Sequence, residues 1–288
     1  MTSTTASKHA IFQSELGTEI PGGVYLCQVD EHVSCAACCG LYNMMDLRRE
    51  TLLAMLQRRT ERFGRTPRTM EGILEFKAVI EAEENQARPY LEFHHCPFIG
   101  MIGPRRTRVG CLLHPLGEGN NDIDFRGLSY YGGMACRTYF CPSCGQLPES
   151  YKQLVRGSVS DWYTYGLIIT ETDLLTAFFH QVEITTGMPL QPMALLTRQH
   201  CRSLVTDFFS LKMDWPFRPA DCPSSANYFF NDHLYPKPPV NYVDIGVPPS
   251  IYDPILRALG SQFESREEYE RADERIRRLI EGLASCVL

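Results

Sequence analysis

The feature that most constrains this chain is the uneven placement of its cysteines. The sequence holds 12 cysteines among 288 residues, and most of them fall in one stretch of the N-terminal half. A chain of this length buries a sizeable core without covalent staples, so its cysteines are not needed to rescue a small fold. The clustered cysteines are Cys35, Cys38, Cys39, Cys96, Cys111, Cys136, Cys141 and Cys144.

Composition and segment patterns indicate a reducing location. The N-terminus has no charged segment followed by an apolar run, so no secretory signal is predicted. No run of about eighteen apolar residues occurs, so no membrane span is predicted either. We therefore expect a cytoplasmic protein, in which clustered cysteines indicate metal ligands or catalytic thiols more than disulfides. A net charge of -6 argues against nucleic-acid binding.

The first cysteine group has the spacing H-x-x-C-x-x-C-C, from His32 to Cys39. Ligands three residues apart reach one metal because a tight turn brings their side chains to the same side. Adjacent side chains diverge, so Cys38 and Cys39 are not expected to bind the same ion. The alternatives for one of them are a second ion, another iron of a cluster, or a plain buried thiol.

The other cysteine groups are two short motifs around Cys96 and Cys111 and a tight C-x-x-C turn, or knuckle, preceded by Cys136. The C-P-S-C-G segment, Cys141 to Gly145, is typical of a metal knuckle, because glycine permits the tight turn that backbone N–H to sulfur bonds require. The histidines near these groups are interpreted as packing residues or as supports for the ligands, and they are His94, His95 and His114. The four single cysteines are interpreted as plain thiols that tolerate serine, and they are Cys27, Cys201, Cys222 and Cys286.

Four motifs in one order resemble the YkgJ-type cysteine-cluster family. They are His32–Cys39, C-P-F at Cys96, C-L-L-H-P at Cys111 and A-C-R-T-Y-F-C at Cys136, within residues 24 to 145. The resemblance implies a zinc- or iron-chelating domain and does not imply a reaction. The family's first signature cysteine falls on His32, and histidine can ligate either metal, so the resemblance is compatible with a mixed ligand set. The alternative is that His32 is a surface residue on the approach to the motif, beside Asp30 and Glu31.

The predicted function is metal binding through cysteines. The predicted ligands are Cys35, Cys38, Cys39, Cys96, Cys111, Cys136, Cys141, Cys144 and His32. Recurring Cys–Pro pairs, and ligands spread over about a hundred residues, favour an iron–sulfur cluster that is redox-active or supports an enzyme. The alternative is a zinc-stabilised structural or interaction module without catalysis. Enzymatic activity is left open, and the partner is an unidentified protein or small molecule.

Hydrophobic periodicity predicts a mainly α fold, α+β at most, with an irregular cysteine-rich region containing short strands at 91–93 and 109–113. Helices are expected at 46–63, at 69–86, from Ser160, over 192–210, and after the cap residue Ser265. Residues 215–249 are proline-rich and are expected to be extended. We expect a metal-binding module at 24–157 and a helical region at 158–288, packed as one compact unit.

Overall fold

The computed structural model describes residues 20–84, 88–222 and 237–288. Within these ranges the chain is mainly helical and has one antiparallel two-stranded sheet, which confirms the predicted fold class. The strands are β1 (Ile99–Ile102) and β2 (Arg108–Cys111), with Ile99 opposite Cys111. The helices are α1 (Arg49–Arg65), α2 (Met70–Glu83), α3 (Gly132–Thr138), α4 (Ser143–Gln146), α5 (Glu149–Ser158), α6 (Trp162–Ile168), α7 (Thr172–Thr186), α8 (Pro192–Leu196), α9 (Gln199–Asp214), α10 (Asp253–Ala258) and α11 (Arg266–Val287).

The first half of the chain packs α1 and α2 against the β1–β2 hairpin. Thr60 on α1 binds the hairpin directly, because its hydroxyl accepts a hydrogen bond from the backbone N–H of Met101 at 2.7 Å. The predicted strand at 91–93 is wrong: these residues form a turn, and Leu91 is 75% exposed. The first strand instead lies over the apolar run from Ile99, where both faces are buried.

Two predicted long helices are each divided in two. The helix that was expected from Ser160 is α6 followed by α7, and Asp161 caps α6 by accepting hydrogen bonds from two backbone N–H groups. Glu171 lies in the break before α7, and its carboxylate binds Lys212 and Lys237. The helix that was expected over 192–210 is α8 followed by α9.

Part of the predicted extended segment 215–249 lies outside the described residues. In its described part the chain has no helix or strand, and the short helix α10 follows it. The last helix is as predicted: the Ser265 hydroxyl accepts from the N–H of Glu268, and α11 buries its apolar stripe. No helix in the described ranges is long and apolar enough to cross a membrane.

The apolar side chains form two core clusters. The larger core lies among α5, α7, α9, α10 and α11 and includes the stacked rings of Phe178 and Phe208, 3.6 Å apart. The smaller core lies among α1, α2 and the hairpin. Each cluster takes side chains from both sides of residue 157: Leu26 belongs to the larger core and Trp162 to the smaller. The division at 157 stays a prediction.

Two cysteines outside the cluster form a disulfide. Cys201 on α9 and Cys286 on α11 are bonded, with their Cα atoms 5.9 Å apart. The interpretation of these two as plain free thiols is therefore wrong. The pairing depends on how α9 packs on α11 across 85 residues of sequence, and no local motif indicates it.

Removing this disulfide is expected to destabilise the protein. In the Cys201→Ser/Cys286→Ser double variant the free energy of unfolding should fall by about 2–4 kcal/mol, because the bond closes a long loop and restricts the unfolded chain. Denaturant unfolding without reductant measures the change. Cys222→Ser is the control, since Cys222 is free, and it should leave the midpoint unchanged. Equal midpoints for the double variant and the wild type would contradict the prediction.

Candidate metal centre

A short antiparallel ribbon places Cys27 and Cys35 opposite each other. Gln28 and Ser34 form a β-bridge, and the backbone N–H of Cys35 donates to the carbonyl of Cys27 at 2.8 Å. Both bridge residues also bind Val109 of the hairpin, each at 2.9 Å. Side chains alternate between the two faces of a ribbon, so Cys27 and Cys35 point away from the hairpin.

The side chains of five cysteines meet on that second face. We call them the ribbon group: Cys27, Cys35, Cys38, Cys141 and Cys144. Burial raises the pKa values of the Cys27 and Cys35 thiols well above the usual value for cysteine. Negative charge on Cys38 and Cys141 contributes to both increases. A hydrogen bond from Cys144 lowers the pKa of Cys141 to about 7, whereas the same bond raises that of Cys144. The five thiols therefore lie within electrostatic range of one another.

Four more cysteines meet beside the smaller core. We call them the hairpin group: Cys39, Cys96, Cys111 and Cys136. The N–H of Cys96 donates to the carbonyl of Cys39 at 2.9 Å, and Cys111 ends β2. Burial raises the pKa of Cys96 to about 11 and that of Cys111 to about 12, with a further contribution from charge on neighbouring cysteines. The Cys136 sulfur is 3.2 Å from the hydroxyl of Ser129.

The two groups join at Cys38 and Cys39, and together we call them the thiol basin. That Cys38 and Cys39 do not bind the same ion stays a prediction. Charge on Cys141 raises the pKa of Cys38, charge on Cys96 and Cys111 raises that of Cys39, and charge on Cys38 also raises that of Cys96. The sulfurs of Cys38 and Cys39 are hydrogen-bonded to each other, which lowers the pKa of Cys38 and raises that of Cys39. The basin is therefore continuous.

The backbone repeats one hydrogen-bond pattern at four of these sulfurs. In each case the N–H two residues after a cysteine points at its sulfur, and this bond lowers the pKa of the thiol. The pairs are Ala37 to Cys35, Phe98 to Cys96, Leu113 to Cys111 and Ser143 to Cys141. Hydrogen bonds of this kind stabilise the charged thiolate more than the neutral thiol. The local backbone is thus arranged for negatively charged sulfur.

The histidines lie around the basin in different settings. His95 has both ring nitrogens engaged, Nδ1 with the Gly40 carbonyl at 2.9 Å and Nε2 with Arg59 at 2.8 Å. Burial and the Arg59 charge lower the pKa of His95 to about 3, so its ring is a neutral packing group. His94 stacks on Tyr130. His114 accepts a hydrogen bond through Nδ1 from a backbone N–H, and burial lowers its pKa to about 4. The interpretation of these three histidines as packing residues or as supports for the ligands stays a prediction.

His32 occupies an exposed turn at the tip of the ribbon. Its backbone N–H donates to the Asp30 carboxylate at 2.7 Å, and so does that of Val33 at 2.8 Å. The residues between Val33 and Cys35 are extended and do not form the tight turn that the three-residue spacing suggested. The role of His32 as a metal ligand stays a prediction.

Two buried cations bind the backbone of the basin. Arg59 is 1% exposed, donates to the Cys96 carbonyl at 3.1 Å and forms an ion pair with Glu84. The Lys152 ammonium donates to the Cys144 carbonyl at 2.8 Å and to that of Gly22 at 2.6 Å. Both cations hold cysteine-bearing segments in place, and both add positive charge beside the sulfurs.

The basin opens to solvent at one side. Cys38 and Cys136 are exposed, and the opening is bordered by exposed aromatic and apolar side chains on and beside α3. These are Tyr130, Tyr131, Met134 and Tyr139, which we call the rim. Burial, together with charge on Cys141 and Cys38, raises the pKa of Tyr139 to about 12, so this rim residue lies within electrostatic range of the sulfurs.

The described residues have a donor set that fits a soft metal, although the side chains are not arranged as a finished site. In these ranges no group of three or more His, Cys, Asp or Glu side chains is arranged as the ligand set of an ion. Thiolates select zinc, copper(I) and iron–sulfur clusters, and the basin offers sulfur with no carboxylate among it. The chemistry of the donors therefore fits the metals predicted from the sequence.

The structure brings Cys27 into the basin, although the sequence interpretation had set it aside as a single thiol. A pattern in the sequence could have revealed it. The polar triplet Asp30–Glu31–His32 separates two apolar, β-branched segments, which is typical of a hairpin turn. Such a hairpin places Cys27 opposite Cys35.

Comparison of the chain with family models, with curated proteins and with solved structures gives no match. The resemblance to the YkgJ-type family stays a prediction that depends on the four motifs.

Proposed function

We propose that the chain is a metal protein whose thiol basin holds an iron–sulfur cluster, redox-active or supporting an enzyme. The observation that carries this proposal is the convergence of separate cysteine segments on one basin, with backbone N–H groups directed at four sulfurs. When bound, a cluster of this kind supplies one-electron transfer or an iron site for a substrate.

Electrostatics support a cation at this place. The cysteines raise one another's pKa because several thiolates in a buried space repel each other. A bound metal cation offsets that repulsion and keeps the sulfurs deprotonated. The nearby cations Arg59 and Lys152 compensate only part of the charge of a thiolate set.

The number and exposure of the thiols favour a cluster over a structural zinc ion. A structural zinc site is closed and takes about four ligands in a tetrahedron. The basin has more sulfurs than that, and Cys38 and Cys136 are open to solvent. An open site allows a substrate or an electron-transfer partner to approach.

The alternative is a zinc-stabilised structural or interaction module, and the rim is the observation that favours it. Tyr130 is 66% exposed and Met134 is 76% exposed, and exposed aromatic and methionine side chains are enriched in protein interfaces. In that case the zinc-bound basin holds the rim residues in place, and an unidentified protein or small molecule binds to the rim. For either function we propose a cytoplasmic location, because the free thiols of the basin persist where the environment is reducing, and burial in the larger core shields the Cys201–Cys286 disulfide from reductants.

Anaerobic purification followed by metal and sulfide analysis tests the proposal. We expect a brown protein that contains iron and acid-labile sulfide and absorbs near 400 nm, on the order expected for thiolate–iron charge transfer. A colourless protein with stoichiometric zinc would support the alternative instead. A preparation that binds neither metal would reject both.

Substitution of one knuckle cysteine should separate the basin from the rest of the chain. Cys141→Ser is expected to lower metal affinity by more than about tenfold, the smallest loss typical of even a residue that only supports a ligand. A hydroxyl is a poor and mostly protonated ligand beside thiolates. The matched control is Cys222→Ser, which changes a free thiol outside the basin. Metal loss in the control, with full loading of Cys141→Ser, would show that the assignment is wrong.

A further inference from the structure

We propose that Cys27, and not His32, is the ligand from the ribbon that joins Cys35 at the metal centre. The inference rests on the proposed function and deepens it by naming a ligand that the cysteine motifs omit. The observation that carries it is the facing position of Cys27 and Cys35 across the ribbon, on the side opposite the hairpin.

The pairing of the ribbon determines where the Cys27 side chain lies. Directly opposed residues of an antiparallel pair have Cβ atoms about 4.5–5.5 Å apart on one face. The 2.8 Å bond from the Cys35 N–H to the Cys27 carbonyl and the bridge beside it make these two cysteines such a pair. Two sulfurs on adjacent Cβ atoms of one face can reach a common metal.

The segment that leads into the first ribbon strand is bound to the Cys141–Gly145 knuckle. Lys152 donates to the carbonyls of both Gly22 and Cys144, which holds the segment before Cys27 against the knuckle. The two segments approach so closely that only glycine fits at position 22, because a Cβ atom there would lie 2.1 Å from the Cys144 carbonyl oxygen. The backbone of Gly22 also has a φ of 67°, which favours glycine. The buried hydroxyl of Tyr165 donates to the Leu26 carbonyl at 2.9 Å, next to Cys27. The chain is therefore held on the Cys141–Gly145 knuckle just before Cys27, which lies within electrostatic range of Cys141 and Cys144.

The turn that carries His32 is fastened elsewhere. Thr107 donates to the Glu31 carbonyl at 2.6 Å, and Arg108 donates to that of Asp30 at 2.9 Å. Arg105 forms an ion pair with the Glu31 carboxylate. Extended chain rises about 3.3 Å per residue, so Val33 to Cys35 spans about 7 Å, and His32 lies beyond it in the turn. For His32 to reach the cysteines, the turn would have to leave these bonds.

This assignment changes the expected charge of the centre. With Cys27 in place of His32, the protein supplies thiolates alone on the ribbon side. A neutral imidazole removes negative charge and raises the potential of a cluster, as in Rieske centres, so the all-thiolate set predicts a lower potential.

The test compares Cys27→Ser, His32→Ala and the control Cys222→Ser in the full chain, purified anaerobically and analysed for iron, zinc and sulfide. We expect Cys27→Ser to lose metal by about tenfold or more, whereas His32→Ala and Cys222→Ser keep the wild-type content and spectrum. Metal-replete Cys27→Ser, or metal loss in His32→Ala, would overturn the inference while leaving the proposed function intact. A wild-type protein without metal would reject the proposed function itself.

Alkylation of the unmodified wild-type chain keeps the inference testable if Cys27→Ser does not fold. Iodoacetamide is added to the metal-loaded protein and to chelator-treated protein, and peptides are analysed by mass spectrometry. Cys27 should be protected in the loaded protein and modified after chelation, whereas Cys222 should be modified equally in both. Equal modification of Cys27 in the two samples would overturn the inference.

Discussion

Removing the metal from the loaded protein is expected to abolish the protease resistance of residues 88–145 while the helices of the larger core stay resistant. Between the hairpin and α5, this stretch has only short helices and turns, and several of its apolar side chains are exposed, among them Leu116, Ile123 and Met134. Ligation must therefore supply much of its order. Thiolate–metal sites of structural type contribute on the order of 10 kcal/mol to folding.

Limited proteolysis with peptide mass spectrometry, before and after anaerobic chelation, measures this effect. New cleavage sites should concentrate between the hairpin and α5. The region from α7 to α11 serves as the internal control, because it has its own core and the Cys201–Cys286 disulfide. Readdition of metal should restore the original pattern. An unchanged cleavage pattern in chelated, metal-free protein would contradict the prediction.

Glu171→Gln is expected to lower the free energy of unfolding by about 3–5 kcal/mol. Glu171 is fully buried, and its two carboxylate oxygens bind the ammonium groups of Lys212 at 2.6 Å and Lys237 at 2.5 Å. Burial alone would raise the pKa of Glu171, but the two ammonium groups outweigh it and hold that pKa below its usual value. Burial lowers the pKa of Lys212 to about 8, although Glu171 opposes that shift. Neutral glutamine removes the negative charge that both ammonium groups face.

Equilibrium denaturation of Glu171→Gln and of the wild type measures the loss. The control is Glu281→Gln on α11, which removes a carboxylate that pairs with Arg277 at an exposed position and should change little. Adding Lys212→Met to Glu171→Gln should recover part of the lost stability, because it also removes a buried positive charge. Equal, small effects of Glu171→Gln and Glu281→Gln would show that the buried carboxylate is unimportant.

Local signals in the sequence were sufficient for the fold class and for the last helix. The Ser265 cap and the apolar stripe of α11 are both local, and both hold in the structure. The grouping of so many cysteines in a few segments likewise predicted that these segments lie together, as ligands of a common centre would. The fold class followed from the same periodicity.

Two of the features that sequence reasoning missed depend on partners distant in the chain or across a turn. The break before α7 does not, because the polar run from Thr170 to Asp173 marks it in the sequence, and Glu171 within that run also binds lysines on later segments. The Cys201–Cys286 pairing depends on helix packing. Cys27 was set aside because motif spacing was counted along the chain, whereas its neighbour Cys35 lies across the ribbon.

The cysteines of the basin become available one after another while the chain is being synthesised. They begin at Cys27 and end at Cys144, and the ribbon, the hairpin and the final knuckle each contribute some of them. During synthesis the early cysteines therefore emerge from the ribosome long before the knuckle that completes their surroundings. Thiols exposed in that interval can oxidise or capture the wrong ion, so if the basin holds the proposed metal, we expect loading to follow the emergence of Cys144 and of Lys152, which binds the Gly22 and Cys144 carbonyls.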